Sequence, residues 1–317
     1  MRKGVIIVLK IYKTSSNLKK TKKVKKILTD SWIDLVSPTQ KEINRVVEKT
    51  KIDKDLIIKM LDTDELPRIE QSGNGILVVI DTPSLEDDKY TTNPLGIIIT
   101  DNNYVVTVAP KRTFVLNDFK KNKIKNFRTA KKIRFLIQIL LNTASSYLKI
   151  LRQVDKDIDK KEELLKTNTK NSDLIDLLDI EKTLVYFMTS LKANDSVLEK
   201  INKGTVFNLY KDDLDLLEDA IIENKQAIEM SGIYKDILSS ISNTYGTIIS
   251  NNLNIAMKFL AGFTIVISVP TMISSFLGMN IPLGNLANNQ YSILLITIIS
   301  IVISLLVAYI LKKKNML

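Results

Sequence analysis

Apolar positions along this chain follow three successive rhythms. In residues 1 to about 127 they come in short runs set off by polar residues. Gly4-Val5-Ile6-Ile7-Val8-Leu9, Trp32-Ile33-Asp34-Leu35 and Ile76-Leu77-Val78-Val79-Ile80 read as strands. Ile97 to Thr100, the turn Asp101-Asn102-Asn103 and Tyr104 to Val108 read as a hairpin. Thr39 followed by Glu42 is a capping box that opens a helix through Val47, and Asp53 to Leu61 is a second short helix ended before Pro67. From about residue 128 the spacing turns to three and four: Phe135, Leu136, Ile139, Leu140, Ala144, Tyr147, Leu148 and Leu151 form one stripe. A break at Asn168 to Ser172 precedes a helix from Leu174 to about Ile201, which Lys203-Gly204 ends. A third helix begins near Asp212 and meets no proline until Pro270. Unbroken to Gly278 it would be roughly 100 Å long at 1.5 Å per residue. The third rhythm is continuous: Phe259 to Leu311 contains no Asp, Glu, Lys or Arg. About 50 uncharged residues suit two bilayer crossings and a loop, since one crossing needs roughly 20.

The pattern predicts an α+β chain: an N-terminal α/β cytoplasmic domain with a small sheet (1–127), cytoplasmic helices with the start of a long stalk (128–258), and a C-terminal transmembrane hairpin. The hairpin divides into a first helix (259–277), an external loop (278–290), a second helix (291–311) and a basic tail (312–317). Lys258 precedes the apolar stretch, and Lys312, Lys313 and Lys314 follow it, while its loop has no lysine. The positive-inside rule then puts both termini in the cytoplasm, in a multi-pass cell-membrane protein. A mean hydropathy of +0.05 fits a hydrophilic body with a small membrane part. Met1-Arg2-Lys3 and the short run after it lack a cleavage site and read as a strand, not a signal peptide.

Composition narrows the chemistry. Cys and His are both absent, which removes disulfides, thiol catalysis, His-based triads and the usual zinc sites. A metal would have to be met by oxygen, which suits hard cations such as magnesium. No Gly-x-x-x-x-Gly-Lys-Ser/Thr loop is present, no nucleophile–base pair stands out, and an enzyme or organic cofactor is not expected. The net charge of +11 raises the question of nucleic acid. Its densest run, Lys19 to Lys26, lacks interleaved aromatics and reads as a solvated loop between two strands, with anionic lipid the better functional partner. On the first apolar helix Asn254, Met257, Ala261, Thr264, Ser268, Thr271 and Ser275 share a face. Neutral oxygens there could hold an ion's hydration water. The same hydroxyls could instead bond back to their own helix, or mark a helix contact. Ser300, Ser304 and Ala308 of the second helix read as packing. One helix cannot line a pore, so a functional stripe implies a homo-oligomer.

Gly278-Met279-Asn280 closing the first membrane helix, Asn254-Ile-Ala-Met257-Lys258 at its start, the lysine cluster after the second helix, and Trp32 to Leu35 followed by Pro38-Thr39 resemble the CorA family of divalent-cation transporters. The resemblance covers most of the chain. It implies a homopentameric magnesium channel, driven by the membrane potential, with cobalt or nickel as further substrates. By carry-over, Gly278, Met279 and Asn280 form the selectivity filter, with Asn280 as the external ring. Asn254 forms the cytosolic ring, Met257 and Leu260 the apolar constriction, and Leu260, Thr264, Ser268 and Thr271 the pore wall. Lys258, Lys312, Lys313 and Lys314 form a basic ring near the membrane.

Two departures stand out. Ile281 to Gln290 has no acidic residue, where the family's loop often does. The resemblance also implies sensing of cytosolic magnesium by carboxylates that bridge neighbouring cytoplasmic domains; the one on the stalk matches Asp219, but its partner position falls at Lys59, so an ion pair could replace or weaken that metal site, unless nearby Asp62, Asp64 and Glu65 supply ligands. A zinc transporter of the same family and a membrane-anchored tethering protein remain alternatives.

Overall fold

The computed structural model describes residues 8–15, 20–167, 171–279 and 291–314. The chain falls into two compact units, Met1–Ser240 and Ile241–Leu317.

The first unit is built on a seven-stranded sheet. Its strands are β1 (Val8–Thr14), β2 (Thr21–Val24), β3 (Trp32–Val36), β4 (Arg68–Ser72), β5 (Gly75–Glu86), β6 (Lys89–Thr100) and β7 (Val105–Ala109), in the order β2-β1-β3-β7-β6-β5-β4. Every pairing is antiparallel except β3 with β7. Alternation along the strands gives each face its own core. Trp32, Val78, Ile80, Leu95, Ile97 and Val105 face the long helices α4 (Lys132–Thr167) and α5 (Asn171–Asn202). Ile33, Leu35, Leu77, Val79, Ile98 and Val106 face α1 (Gln40–Thr50) and α2 (Lys54–Lys59). The one-residue offset between the two sets is the pleat itself, and it yields a three-layer sandwich.

Trp32, fully buried, organises the first core. Its ring stacks on Tyr12 at 4.8 Å between centroids and meets Phe135 edge-on at 5.2 Å. Its indole N–H donates to Thr107 Oγ1 at 2.9 Å, so the ring is buried without an orphaned donor. The expected capping box is present: Thr39 N–H donates to Glu42 Oε2 at 2.9 Å, and Glu42 N–H donates to Thr39 Oγ1 at 3.3 Å. Glu42 Oε1 also accepts the Leu9 N–H at 3.0 Å, which ties α1 to β1.

The sheet is larger than the apolar runs indicate. β1 continues through Lys10-Ile11-Tyr12-Lys13-Thr14, while Gly4 to Ile7 lie outside the described residues. Part of the lysine run is an edge strand rather than a loop, since Thr21 to Val24 pair with Ile11 to Thr14. Exposed lysines on an edge discourage pairing with another chain. β5 and β6 each run 12 residues, because their polar halves pair from Asp81 with Pro94 to Glu86 with Lys89. The hairpin between them turns on Asp87 and Asp88, both at positive φ (47° and 62°), a type I′ geometry reached without glycine. Pro83 and Pro94 lie beyond the ends of the β4 and β7 pairings, so neither missing N–H breaks a ladder on its outer side.

The last helix of the first unit is the start of α6 (Lys211–Leu277), which continues into the second unit and contains Pro270. The second unit also holds α7 (Ser292–Lys313). The break expected around Asn168 falls largely outside the described residues, and α4 and α5 approach it more closely than the apolar stripe suggests.

Candidate functional site

α6 and α7 are both long and apolar enough to cross a membrane. Their apolar side chains point outward: Phe259 is 57% exposed and Leu294 62%. Such a surface needs lipid or another chain to cover it.

Around the membrane part of α6 the residues sort into two faces. The less exposed ones are Gly262, Val266, Val269, Pro270, Ile273 and Leu277, a narrow stripe of glycine, proline and branched residues. Thr264, Ser268, Thr271 and Ser275 are exposed and, at 100° per residue, lie about opposite that stripe. Met257 and Leu260, 63% and 64% exposed, continue the hydroxyl face toward the helix start, and Asn254 lies at its edge. A shallow concavity runs along this face from Leu260 through Thr264 and Ser268 to Met279. α7 has its own less exposed stripe, in which Ser292, Ser300, Ser304 and Ala308 stand with the larger Ile296, Val307 and Leu311; the small side chains among them suit a helix contact.

The hydroxyls do bond back to their own helix. Thr264 Oγ1 donates to Leu260 O at 2.8 Å, Ser268 Oγ to Thr264 O at 2.8 Å, and Thr271 Oγ1 to Ile267 O at 3.0 Å. This satisfies each donor but leaves both oxygen lone pairs free. A hydrated cation presents water hydrogens, which need acceptors. Back-bonding therefore turns the face into a row of acceptors and does not compete with an ion-facing role.

The helix closes at Gly278, whose N–H bonds Ser274 O at 3.0 Å. A Cβ at Gly278 would sit 3.5 and 3.6 Å from the carbonyls of Ser274 and Ser275, an ordinary contact. Among the described residues of one chain nothing demands glycine there. Asn280 and the loop through Gln290 lie outside the described residues. Lys258, Lys312, Lys313 and Lys314 are all exposed, the last three in or next to the final turn of α7.

Within one chain Lys59 and Asp219 stand apart, as a pair expected between neighbouring domains allows. Lys59 Nζ contacts Glu70 Oε1 at 2.7 Å, and Arg68 bridges Glu70 and Glu65. Hydrogen bonds from Lys59 and Arg68 hold the Glu70 carboxyl below the ordinary range. Asp62 accepts the Asp64 N–H at 3.0 Å, and Asp219 is exposed on α6. Among the described residues no three carboxylates gather to hold a metal.

The sequence reading passed over two charged features. Asp81 is half-buried against α5, where Ser190 Oγ donates to Oδ2 at 2.7 Å, and desolvation raises its pKa. Asp34, 2% exposed, pairs with Lys120 at 2.7 Å. A charge in the middle of Trp32-Ile33-Asp34-Leu35 is the sequence signal that could have pointed to that pair.

Comparison with known proteins decides the family. A profile described as CorA-like Mg2+ transporter protein matches residues 30–313. The chain belongs to the CorA-like Mg2+ transporter family. It is 30% identical over 291 residues to the cobalt/magnesium transport protein CorA of Methanocaldococcus jannaschii, covering 90% of each chain. The complete structure of the CorA magnesium transporter from that organism superposes with a TM-score of 0.83 at 26% identity, covering 97% of this chain and 98% of the other. The full-length CmaX protein shares the fold, with a TM-score of 0.69 at 13% identity, covering 96% and 98%. This family member thus carries the α+β fold and the two apolar helices of CorA, as its membrane motifs indicate.

Proposed function

We propose that the protein is a homopentameric channel through which magnesium enters the cell down the membrane potential. The observation that carries this reading is the division of α6, with an acceptor-bearing face turned away from a stripe of glycine, proline and branched residues. Five such faces around an axis would line a pore, with the less exposed stripe turned to the neighbouring helix. Asn280 would form the external filter ring with Gly278 and Met279, where glycine would be needed because five chains crowd together. Met257 and Leu260 would form an apolar constriction that gates by dewetting. Thr264, Ser268 and Thr271 would carry hydration water past it, and Asn254 would form the inner ring. Magnesium dehydrates reluctantly, so oxygens that bind its water shell select it without stripping it. Lys258 and Lys312 to Lys314 would mark the cytoplasmic side, with both termini there. A divalent ion gains about 4.6 kcal/mol across 100 mV, so no ATP is required.

The name of the Methanocaldococcus relative makes cobalt a second substrate worth testing. For regulation, an interchain Lys59–Asp219 pair would have to draw Lys59 from Glu70. If removal of magnesium exposes the cytoplasmic unit to protease equally in the parent and in Lys59→Asp, that substitution is without regulatory weight.

The test is magnesium influx into proteoliposomes holding a magnesium-sensitive dye under an inside-negative potential. Flux in the parent and none in a still-pentameric Asn280→Ala is the expected result. No flux in either, despite correct assembly, would replace the channel by a tethering role.

A further inference from the structure

We propose that the sheet unit binds a phosphate monoester in the pocket bounded by Lys10, Asp34, Arg112 and Lys120. The site is independent of the ion pathway, and its test is read without any flux.

The pocket lies at one end of the β1–β3–β7 ladder and has a volume of about 290 Å³. Lys10 of β1 stands in register with Asp34 of β3. Arg112 follows β7, and Lys120 ends the short helix α3 (Asn117–Lys120). Three cations thus share the pocket with one carboxylate. That carboxylate is already committed: Asp34 Oδ2 meets Lys120 Nζ at 2.7 Å, and Asp34 Oδ1 accepts from Thr107 Oγ1 at 3.0 Å.

The other nearby carboxylates are matched elsewhere. Glu86 is bonded by Lys111 at 2.6 Å and by Asn93 at 2.7 Å, and Asp118 faces Lys123 at 3.6 Å. Lys10 and Arg112 form no ion pair with any described residue. Residues 1–7 and 16–19, which flank β1, contain no Asp or Glu that could supply one. The excess over the committed pair is two positive charges, the complement of a phosphate dianion. Two ammonium groups and a guanidinium fork are suited to its oxygens.

The Lys10 ammonium experiences the crowding. Its pKa is lowered by burial and then by Lys120 and Arg112, with Lys23 adding to the repulsion and Asp34 opposing it. A bound dianion would relieve that repulsion. The volume exceeds what inorganic phosphate fills, and Val36, Leu85, Phe114 and Leu116 give the remainder an apolar wall. The ligand is therefore a monoester with an organic part, such as a nucleoside monophosphate.

The chain carries a built-in reporter. Trp32 is the sole tryptophan, and Lys120 Nζ stands 5.7 Å from its ring centroid. The experiment titrates the full chain in detergent, with EDTA and at constant ionic strength, with adenosine 5′-monophosphate and with inorganic phosphate. Trp32 fluorescence is followed, with equilibrium dialysis of labelled nucleotide as a second measurement. Saturable binding is expected, tighter for the nucleotide than for phosphate. Arg112→Gln and Lys10→Gln, each checked for an unchanged melting temperature, should weaken it about tenfold or more, the scale of a lost charge-assisted bond. Lys22→Gln removes the same charge from an exposed position of β2 outside the pocket and should leave affinity unchanged. Absence of saturable binding in dialysis would overturn the proposal, as would equal affinities in the three variants.

Discussion

Gly96 and Met60 offer a sharp test of how the sheet unit is packed. Gly96 lies in β6 between Val79 of β5 and Val108 of β7, under the end of α2. A Cβ added there would come within 2.5 Å of Met60 Cγ and 2.9 Å of Met60 Sδ. Ordinary carbon contacts are about 3.5–4.0 Å, so the methionine would have to retreat by about 1 Å. Met60 is fully buried in the core that holds Leu56, Ile57 and Leu77, which leaves it little room. Overpacking of this kind costs about 1–3 kcal/mol, the expected loss for Gly96→Ala. Met60→Ala should cost about 2–5 kcal/mol through lost burial and a cavity. In the double variant the new methyl enters the space that Met60 vacates. The loss in the double variant should then fall short of the sum of the two single losses by about the whole cost of Gly96→Ala. Urea unfolding of the full chain in detergent, followed by Trp32 fluorescence, reports on this unit alone because the chain has one tryptophan. Additivity within about 0.5 kcal/mol, or a neutral Gly96→Ala, would refute the packing argument.

Two further outcomes follow from single groups. Asp81 has a raised pKa through burial, so folding favours its protonated form, and stability falls as pH rises from the unfolded value, about 4, through the folded one. Asp81→Asn should therefore melt above the parent at pH 7, with a gap that closes toward about pH 4; a gap constant with pH would show that the charge is not the cause. On the hydroxyl face of α6, Ser268→Ala and Thr264→Val each remove one acceptor that the proposed pore would offer to hydration water. Each should lower magnesium flux about fivefold, the worth of roughly 1 kcal/mol, while the oligomeric state by light scattering matches the parent's, and unchanged flux would assign the hydroxyls to helix bonding alone.

Much of this protein follows from local pattern. The uncharged stretch from Phe259 to Leu311 must be covered by lipid or protein whatever precedes it, because so many exposed apolar residues cannot face water. The capping box at Thr39 and Glu42 and the turn at Asp101 to Asn103 were legible because each is closed by neighbours in sequence. The stripe of oxygens on α6 was legible too, since helical spacing alone puts those residues on one face.

Other features exist only through contacts distant in sequence. The polar halves of β5 and β6 carry no apolar alternation. They are strands because each offers the other a full ladder, and because buried Asn93 can donate to Ser84 at 2.7 Å. Lys59 meets Glu70, and not Asp219 of its own chain, because β4, unseen in the apolar pattern, pairs beside β5 and brings Glu70 to α2. The basic pocket joins residues as far apart as Lys10 and Lys120, and nothing local to either predicts the other. Periodicity determines which side of a helix or strand a residue occupies. Only strand order and register decide which distant charge stands opposite, because electrostatic partners are chosen by position in space.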